Sequence, residues 1–205
     1  MTPAYWQQAN HELAARDHVM RRLIQHFEGA SLTSRGCAFT TLARSIVGQQ
    51  ISVKAAESVW QKVIRTIPDM TPRSLSSVEQ DLLRACGLSS RKITYLQDLS
   101  QHFMHETLNE TTWSEMDDET IIAQLTKIKG IGRWTAEMFL IFHMQRPDVL
   151  PLDDIGLQRA ISRHYYGDQS VNKRMIIELA KPWQPWRSVA TWYLWRSLDP
   201  LPVEY

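Results

Sequence analysis

The chain alternates short amphipathic segments with loops that contain glycine or proline. Apolar residues recur three or four positions apart in many stretches, which is the spacing of one helix face. No stretch longer than a few residues shows the period of two that is typical of a strand. The pattern predicts an all-α protein of roughly nine to eleven helices, with segments at 5–26, 39–47, 53–67, 78–86, 91–105, 117–126, 133–143, 155–166, 171–180 and 186–198.

Two of these segments begin with a capping signal. Ser52 precedes the segment 53–67, and a serine at this position accepts a hydrogen bond from a backbone N–H of the first helical turn. Ser77, with Gln80 three residues later, fits a capping box that opens the segment 78–86. We therefore expect helix starts at these two places.

Charge is unevenly distributed along a chain whose net charge is only +1. The stretch 16–65 holds eight Lys or Arg against three acidic residues, and 170–196 holds five against one. The stretch 106–119 holds six acidic residues and no Lys or Arg. This segregation indicates one basic and one acidic face, with ordinary solvated helix surfaces as the alternative.

Cysteine usage and hydropathy exclude several classes of protein. The two cysteines, Cys37 and Cys86, show no C-x-x-C spacing, so neither a disulfide framework nor a zinc site is predicted. No apolar run reaches the 18 residues of a membrane-spanning helix, and the first residues lack the apolar core of a signal peptide. We expect a soluble, cytoplasmic protein with no membrane partner.

The stretch 125–154 is the most informative part of the sequence. Leu125 and Ile128 lie three apart on one face of a helix that ends in a tight turn, after which a second helix is predicted. Gly130 and Gly132 in this turn permit a sharp bend and a close approach to the backbone amides. The start of the second helix presents unpaired N–H groups and a partial positive charge, which favour a phosphate.

Two aspartates follow the turn at a useful distance. Asp153 and Asp154 lie 21 and 22 residues beyond Gly132, after one helix and a short loop bounded by prolines. Such a loop can return a carboxylate to the side of a bound phosphate. The pattern indicates a backbone cradle for a nucleic acid with a carboxylate nearby, and the alternative is a plain helix connection whose two acids cap the next helix.

Four segments of the chain resemble the helix-hairpin-helix DNA glycosylases, and within them the 3-methyladenine DNA glycosylase II branch, which acts on alkylated purines. The resemblance runs from about 39 to 195. The segments are ARSIVGQQIS (43–52), IKGIGRWTAEMF (128–139), LPLDD (150–154) and KPWQPWRSVATWYLW (181–195). The resemblance implies a hydrolase of base excision repair.

The resemblance implies two helical lobes with the active site in the cleft between them. Residues 31–140 are expected to form a central lobe with the hairpin at about 119–143, and 1–30 plus 141–205 a second lobe with the catalytic aspartate. The N-terminal α/β domain of a larger family member is expected to be missing. The iron–sulfur cluster of some relatives is excluded, because no cysteine follows Cys86.

Base excision breaks an N-glycosidic bond through a sugar with oxocarbenium character, which a carboxylate stabilises. The family's catalytic aspartate matches Asp154, with Asp153 as a helix N-cap or a neighbouring support. Trp134 stands where relatives that also cut the DNA backbone have a lysine nucleophile, so the resemblance implies a monofunctional enzyme that uses water. Pro151 and Leu152 stand where the superfamily often has Gly and Pro, which leaves the loop geometry open.

The resemblance also implies a pocket for the base. Trp134 and Trp195 would line it, and a tryptophan face attracts a cationic base by about 1–2 kcal/mol when both are desolvated. Met138 stands where a family member has tyrosine, which changes the shape of the pocket and leaves the substrate preference open. The alternative for each tryptophan is an ordinary core position.

Further residues are assigned to DNA and to a cation by the same resemblance. Gln50 would fill the gap that the flipped base leaves in the duplex, and the alternative is an ordinary surface position at a helix junction. Phosphates would be bound by backbone amides of the hairpin, at Gly130, Gly132 and Thr135. A structural monovalent cation would be held by backbone carbonyls, those of Thr126, Ile128 and Ile131. No cofactor is expected for catalysis.

The predicted function is that of a monofunctional DNA-3-methyladenine glycosylase, which flips alkylated purines of the 3-methyladenine and 7-methylguanine type out of double-stranded DNA and hydrolyses the N-glycosidic bond. We expect it to act as a monomer. Two alternatives stay open. One is a glycosylase for another lesion, and the other is a non-catalytic helix-hairpin-helix module that only binds DNA.

Overall fold

The computed structural model describes residues 2–34, 36–105, 108 and 110–198. These residues form thirteen α-helices and one 3₁₀ turn, Lys181–Trp183, and contain no strand, so the predicted all-α class is confirmed. In chain order the helices are α1 (Trp6–Arg16), α2 (His18–His26), α3 (Ala38–Gly48), α4 (Val53–Thr66), α5 (Pro72–Ser77), α6 (Gln80–Ala85), α7 (Ser90–Met104), α8 (Glu110–Trp113), α9 (Asp118–Leu125), α10 (Arg133–Phe142), α11 (Ile155–Tyr165), α12 (Lys173–Ala180) and α13 (Arg187–Leu198).

The described chain divides into two compact units. One unit combines 2–34 with 140–198, and the other comprises the described residues from 36 to 139. The predicted central lobe, 31–140, begins five residues earlier and ends one residue later than this second unit. That the active site lies in a cleft stays a prediction.

The unit from 36 to 139 is built around α7, which packs on α3, α5 and α6. Its helix starts follow the expected chemistry at Ser52, whose hydroxyl accepts a hydrogen bond from the Ala55 N–H at 3.3 Å and caps α4. Lys92 of α7 donates to the Val47 carbonyl at 2.7 Å, and burial lowers the pKa of its ammonium group. This bond ties α7 to the end of α3, next to Gln49 and Gln50.

The other unit packs α1 on α2, α2 on α13, and α11 on α13. The single helix predicted over 5–26 is wrong, because Asp17 divides it into α1 and α2. Asp17 has an extended backbone, with φ −140° and ψ 122°, and its side chain accepts hydrogen bonds from the Val19 and Met20 N–H groups. The aspartate therefore ends one helix and caps the next without interrupting the apolar spacing.

The capping box predicted at Ser77 is also wrong. Ser77 is the last residue of α5, a short helix that Thr71 caps and that has Pro72 at its start. The next helix, α6, begins at Gln80. Proline at a first helical position is favourable, because its missing N–H is not needed there. Thr71 and Pro72 therefore mark a helix start that the capping-box prediction did not include.

Within the described residues, none of the helices combines the length and the apolarity needed to cross a membrane. Cys37 is exposed, Cys86 is buried, and both are free thiols. Neither cysteine therefore contributes to a covalent link in the described part of the fold.

Candidate active site

The hairpin between α9 and α10 is held by apolar anchors. Leu125, Ile128 and Ile131 are 0%, 1% and 4% exposed, so the three-residue spacing seen in the sequence buries one face of the turn. The Ile128 N–H donates to the Leu125 carbonyl at 3.1 Å, and the Ile131 N–H donates to the Ile128 carbonyl at 3.1 Å. Two consecutive tight turns result, and they carry the chain from one helix to the next.

Gly130 is required by its surroundings as well as by its backbone. Its φ of +85° lies in the left-handed region, which favours glycine. A Cβ added at this position would lie within 2.6 Å of three ring carbons of Tyr95, a residue of α7. The Gly130 carbonyl also accepts a hydrogen bond from the Gln49 Nε2 at 2.8 Å. Tyr95 and Gln49 thus hold the hairpin from two sides.

Lys129 connects the hairpin to α7. Its N–H donates to Asp98 Oδ2 at 2.9 Å, and its ammonium nitrogen lies 3.2 Å from Asp98 Oδ1. Burial alone would raise the pKa of Asp98, but these two interactions with Lys129 hold the pKa below its ordinary value. The lysine therefore anchors the hairpin as well as carrying charge at its surface.

Gly132 differs from Gly130 in its exposure and in the space around it. It is exposed, and a Cβ at this position would meet no atom within 4 Å. The first hydrogen bond of α10 runs from the Ala136 N–H to the Gly132 carbonyl at 3.0 Å. As at any helix start, the N–H groups before that bond have no acceptor within the helix, which suits an anion.

Arg133 follows Gly132 and is engaged by acids. Its guanidinium donates to both carboxylate oxygens of Glu119 and, at 3.0 Å, to Glu137 Oε1. These contacts join the two helices of the hairpin. The basic residue next to the predicted phosphate site is thus partly neutralised by α9.

The turn after α3, which we call the Gln-Gln turn (residues 49–51), presents the side chains of Gln50 and Ile51 to solvent. Gln50 is exposed and has a left-handed φ of +59°, which is uncommon for a residue other than glycine. Ile51 follows and is 41% exposed, although it is a large apolar residue. Gln49 points the other way and bonds to the hairpin. The turn therefore separates an anchoring glutamine from a projecting Gln50–Ile51 pair.

Asp154 is a buried carboxylate at the start of α11. It is 7% exposed, and its Oδ1 accepts hydrogen bonds from the Leu157 N–H at 2.5 Å and from Trp195 Nε1 at 2.7 Å. The first bond is that of a helix N-cap. The alternative weighed for this residue, a capping role, is therefore present, and it does not exclude chemistry at the same carboxylate.

The role of N-cap predicted for Asp153 is wrong, because the cap is Asp154. The Asp153 side chain is 60% exposed and its Oδ1 lies 2.5 Å from the Lys173 ammonium nitrogen. A tight turn in which the Asp154 N–H donates to the Pro151 carbonyl at 3.0 Å turns the second aspartate inward and the first outward. The two neighbours are thereby distinguished by their surroundings.

The loop before Asp154 is fixed to the start of α13. The Arg187 guanidinium donates to both oxygens of Asp148 at 2.7 and 2.8 Å, the paired geometry that makes such contacts strong. The Val149 N–H donates to Ser188 Oγ at 2.9 Å. A loop pinned in this way positions the aspartate that follows it.

Trp195 is brought to Asp154 by α13, and its indole is held on two sides. Its ring stacks on Phe142 with centroids 5.7 Å apart and an interplanar angle of 11°. A Cβ at Gly156 would lie 3.1 Å from Asp154 Oδ1 and 3.1 Å from Trp195 Cδ1. Glycine at this position of α11 thus leaves the room in which indole and carboxylate meet.

The remaining predicted residues lie in α10 or at its start. Trp134 is partly exposed in the first turn of the helix. Thr135 and Met138 are 6% and 2% exposed, so both residues are buried. Contacts of these three residues with DNA or a base stay predictions.

The described residues contain no group of three or more His, Cys, Asp or Glu side chains placed to hold a metal ion. The cation predicted at the hairpin would use carbonyls instead. The Ile128 carbonyl already accepts the Ile131 N–H, and a carbonyl oxygen with two lone pairs can also face a cation. The ligand set of Thr126, Ile128 and Ile131 stays a prediction.

Four residues that the sequence interpretation missed support the site: Gln49, Tyr95, Asp98 and Gly156. The first three contact the hairpin from 81, 35 and 31 residues away in sequence, and no local pattern encodes such a contact. Gly156 could have been identified from the sequence, because a glycine in the first turn of a helix is unfavourable unless a larger side chain does not fit there.

Comparison with known proteins gives consistent matches. A family model described as "HhH-GPD superfamily base excision DNA repair protein" matches residues 43–185. DNA-3-methyladenine glycosylase 1 of Schizosaccharomyces pombe is 31% identical over 164 residues, which cover 78% of this chain and 72% of that protein.

Two solved structures resemble the chain over almost its full length. A DNA-3-methyladenine glycosidase from Bacillus halodurans has a TM-score of 0.84 and 34% identity, and the match covers 93% of this chain and 89% of that one. The 3-methyladenine DNA glycosylase of Schizosaccharomyces pombe, solved in complex with abasic DNA, has a TM-score of 0.82 and 27% identity, with 97% and 99% covered.

Proposed function

Because the chain belongs to the HhH-GPD superfamily of base excision DNA repair proteins, we propose that it is a monofunctional DNA-3-methyladenine glycosylase, which hydrolyses the N-glycosidic bond of alkylated purines in duplex DNA. The similar proteins from Schizosaccharomyces pombe and Bacillus halodurans are named 3-methyladenine glycosylase and glycosidase, and the first was solved with abasic DNA. 3-Methyladenine and 7-methylguanine are the proposed substrates.

The observation that carries this proposal is the carboxylate of Asp154. It is 7% exposed and its orientation is set by two N–H donors on one oxygen. A carboxylate fixed in a dry environment stabilises positive charge that develops on a nearby atom more strongly than one in water does. Loss of a purine generates such charge on the sugar ring.

The proposed reaction needs few catalytic groups besides the Asp154 carboxylate. An alkylated purine is already cationic, so it leaves as a neutral base and needs little help from a general acid. Asp154 would stabilise the oxocarbenium-like sugar and orient the water that attacks it. The products are a neutral free base, an abasic site and the proton that the attacking water loses.

The proposal of a monofunctional enzyme rests on Trp134. Relatives that also cut the DNA backbone have a lysine amine at the matching position, which forms a Schiff base with the sugar. An indole has no nucleophilic amine. A partly exposed tryptophan at this place can instead stack on a cationic base after the base leaves the duplex.

DNA would be held by the hairpin and the Gln-Gln turn. The N–H groups at the start of α10, next to the exposed Gly132, are suited to a phosphate oxygen. The Gln50–Ile51 pair would fill the gap left by the flipped base. Gln50 would contribute hydrogen bonds to the bases and Ile51 an apolar surface for stacking.

The test is release of free bases from duplex DNA treated with dimethyl sulfate. We expect the wild-type chain to release 3-methyladenine and Asp154→Asn to lower the rate by about 100- to 1,000-fold, as for loss of one well-placed electrostatic group. Asparagine still accepts the cap hydrogen bond from Leu157, so the fold is retained. Affinity for a duplex with a stable abasic analogue should change little.

Asp153→Asn is the matched control, because it removes the adjacent carboxylate, which is exposed and paired with Lys173. This variant should excise at the wild-type rate. If Asp153→Asn were slow and Asp154→Asn were normal, the assignment would be reversed. A wild-type chain that releases no methylated base would refute the alkylated-purine substrate.

A further inference from the structure

We propose that Trp195 is a positioning residue, whose indole N–H holds the Asp154 carboxylate in its reactive orientation. This role differs from that of a pocket wall that stacks on the base. The inference rests on the proposed function of Asp154. Without the Trp195 indole N–H, base excision that depends on Asp154 would be slower.

The hydrogen-bond geometry is the first support. Asp154 Oδ1 receives the Leu157 N–H at 2.5 Å and Trp195 Nε1 at 2.7 Å. Two donors on a single oxygen set both the position of that oxygen and the plane of the carboxylate. The direction of Oδ2 follows from them, so a change in either donor turns the whole group.

The indole itself is rigid. Its ring lies nearly parallel to that of Phe142, with an interplanar angle of 11° and centroids 5.7 Å apart. On the side of α11, Gly156 would place a Cβ only 3.1 Å from Trp195 Cδ1 and 3.3 Å from Nε1. The indole is therefore confined by Phe142 and α11, and its N–H is aimed at the carboxylate by packing.

A second indole–aspartate pair in the same unit shows a different arrangement. Asp17 caps α2 through Oδ1, which accepts the Val19 N–H at 2.8 Å. Its Oδ2 accepts Trp183 Nε1 at 2.9 Å and the Tyr165 hydroxyl at 2.8 Å. Cap and indole thus use different oxygens at Asp17, where the carboxylate joins helices. At Asp154 they share one oxygen.

The Asp17–Trp183 pair provides the matched control. Trp195→Phe and Trp183→Phe each keep an aromatic ring and remove one indole N–H from an aspartate. With enzyme in excess over methylated duplex DNA, we expect Trp195→Phe to slow base excision by about 10- to 100-fold, as for a small misplacement of a reacting group. Its affinity for a duplex with an abasic analogue should stay within about twofold, since no DNA contact is lost. Trp183→Phe should keep the wild-type rate.

A spectroscopic measurement tests the hydrogen bond apart from catalysis. In a proton–nitrogen correlation spectrum, the Trp195 indole signal is identified by its loss in Trp195→Phe. It should shift in Asp154→Ala, while the Trp183 signal stays in place. A Trp195 signal that does not move would overturn the inference.

The outcomes separate this inference from the proposed function. A wild-type chain that excises the base, with Trp195→Phe equally fast, would refute the positioning role alone. Parallel loss of rate and of affinity for the abasic duplex in Trp195→Phe would assign the residue to the binding of DNA and overturn the inference. A wild-type chain without excision would refute both proposals.

Discussion

The same substitution at the two glycines of the hairpin should mainly lower stability at Gly130 and mainly lower DNA affinity at Gly132. Gly130→Ala places a methyl group within 2.6 Å of three Tyr95 ring carbons, including Cγ, so the whole ring must move. The left-handed φ of +85° adds a cost of about 1–2 kcal/mol, and forced overpacking typically adds about 1–3 kcal/mol. We expect the free energy of unfolding to fall by about 2–5 kcal/mol.

Gly132→Ala meets no atom within 4 Å. The glycine precedes the first residue of α10, where alanine is a poorer cap, so the free energy of unfolding should fall by at most about 1 kcal/mol. The added methyl group lies at the start of the helix, where a phosphate would approach the amides. If one hydrogen bond to that phosphate is lost, affinity for duplex DNA should drop about tenfold.

The assay pairs thermal unfolding with fluorescence anisotropy on a duplex that carries an abasic analogue. For a chain of this size, the loss expected for Gly130→Ala lowers the midpoint of unfolding by about 4–20 °C. In a Tyr95→Ala background the same substitution should cost only the backbone term of about 1–2 kcal/mol. Equal loss of stability in Gly130→Ala and Gly132→Ala would refute the reasoning, as would unchanged DNA affinity in Gly132→Ala.

Two further predictions concern residues that support the site. Gly156→Ala should change the free energy of unfolding by no more than about 1 kcal/mol, because alanine favours the helix while its methyl group crowds Asp154 and Trp195. Single-turnover base excision should nevertheless slow about tenfold, and full activity would contradict this prediction. The pKa of Asp98 is lowered, so its interaction with Lys129 stabilises the fold above about pH 4, and this stabilisation is lost as the pH falls. In urea unfolding, the free energy of unfolding should therefore fall less between pH 5 and pH 3 for Asp98→Asn than for the wild type.

The parts of the fold that follow local rules were predictable from the sequence. Ser52 caps α4 as its position indicates, and the spacing of Leu125 and Ile128 buries the hairpin. The break at Asp17 was missed because the residue caps a new helix without disturbing the apolar period. The short helix α5 is not among the predicted segments, and its start is marked by a proline at the first helical position.

The candidate site was predictable only in its local parts. A turn that faces one of two adjacent aspartates inward depends on backbone geometry, which residue type does not encode, so the sequence does not show which of Asp153 and Asp154 caps the helix. The bond between Trp195 and Asp154 spans 41 residues, and that between Gln49 and Gly130 spans 81. Contacts at such separations exist only once the helices have packed.

The cap residue at the start of α11 is also the proposed catalytic carboxylate, and this has a consequence for how the sequence can diverge. Asp, Asn, Ser and Thr all cap a helix well, but only aspartate brings a carboxylate. Under the catalytic role proposed for Asp154, a descendant with Asn, Ser or Thr at this position would keep the helix cap and lose base excision. On this proposal, the residue at position 154 distinguishes related chains that excise a base from chains that only bind DNA.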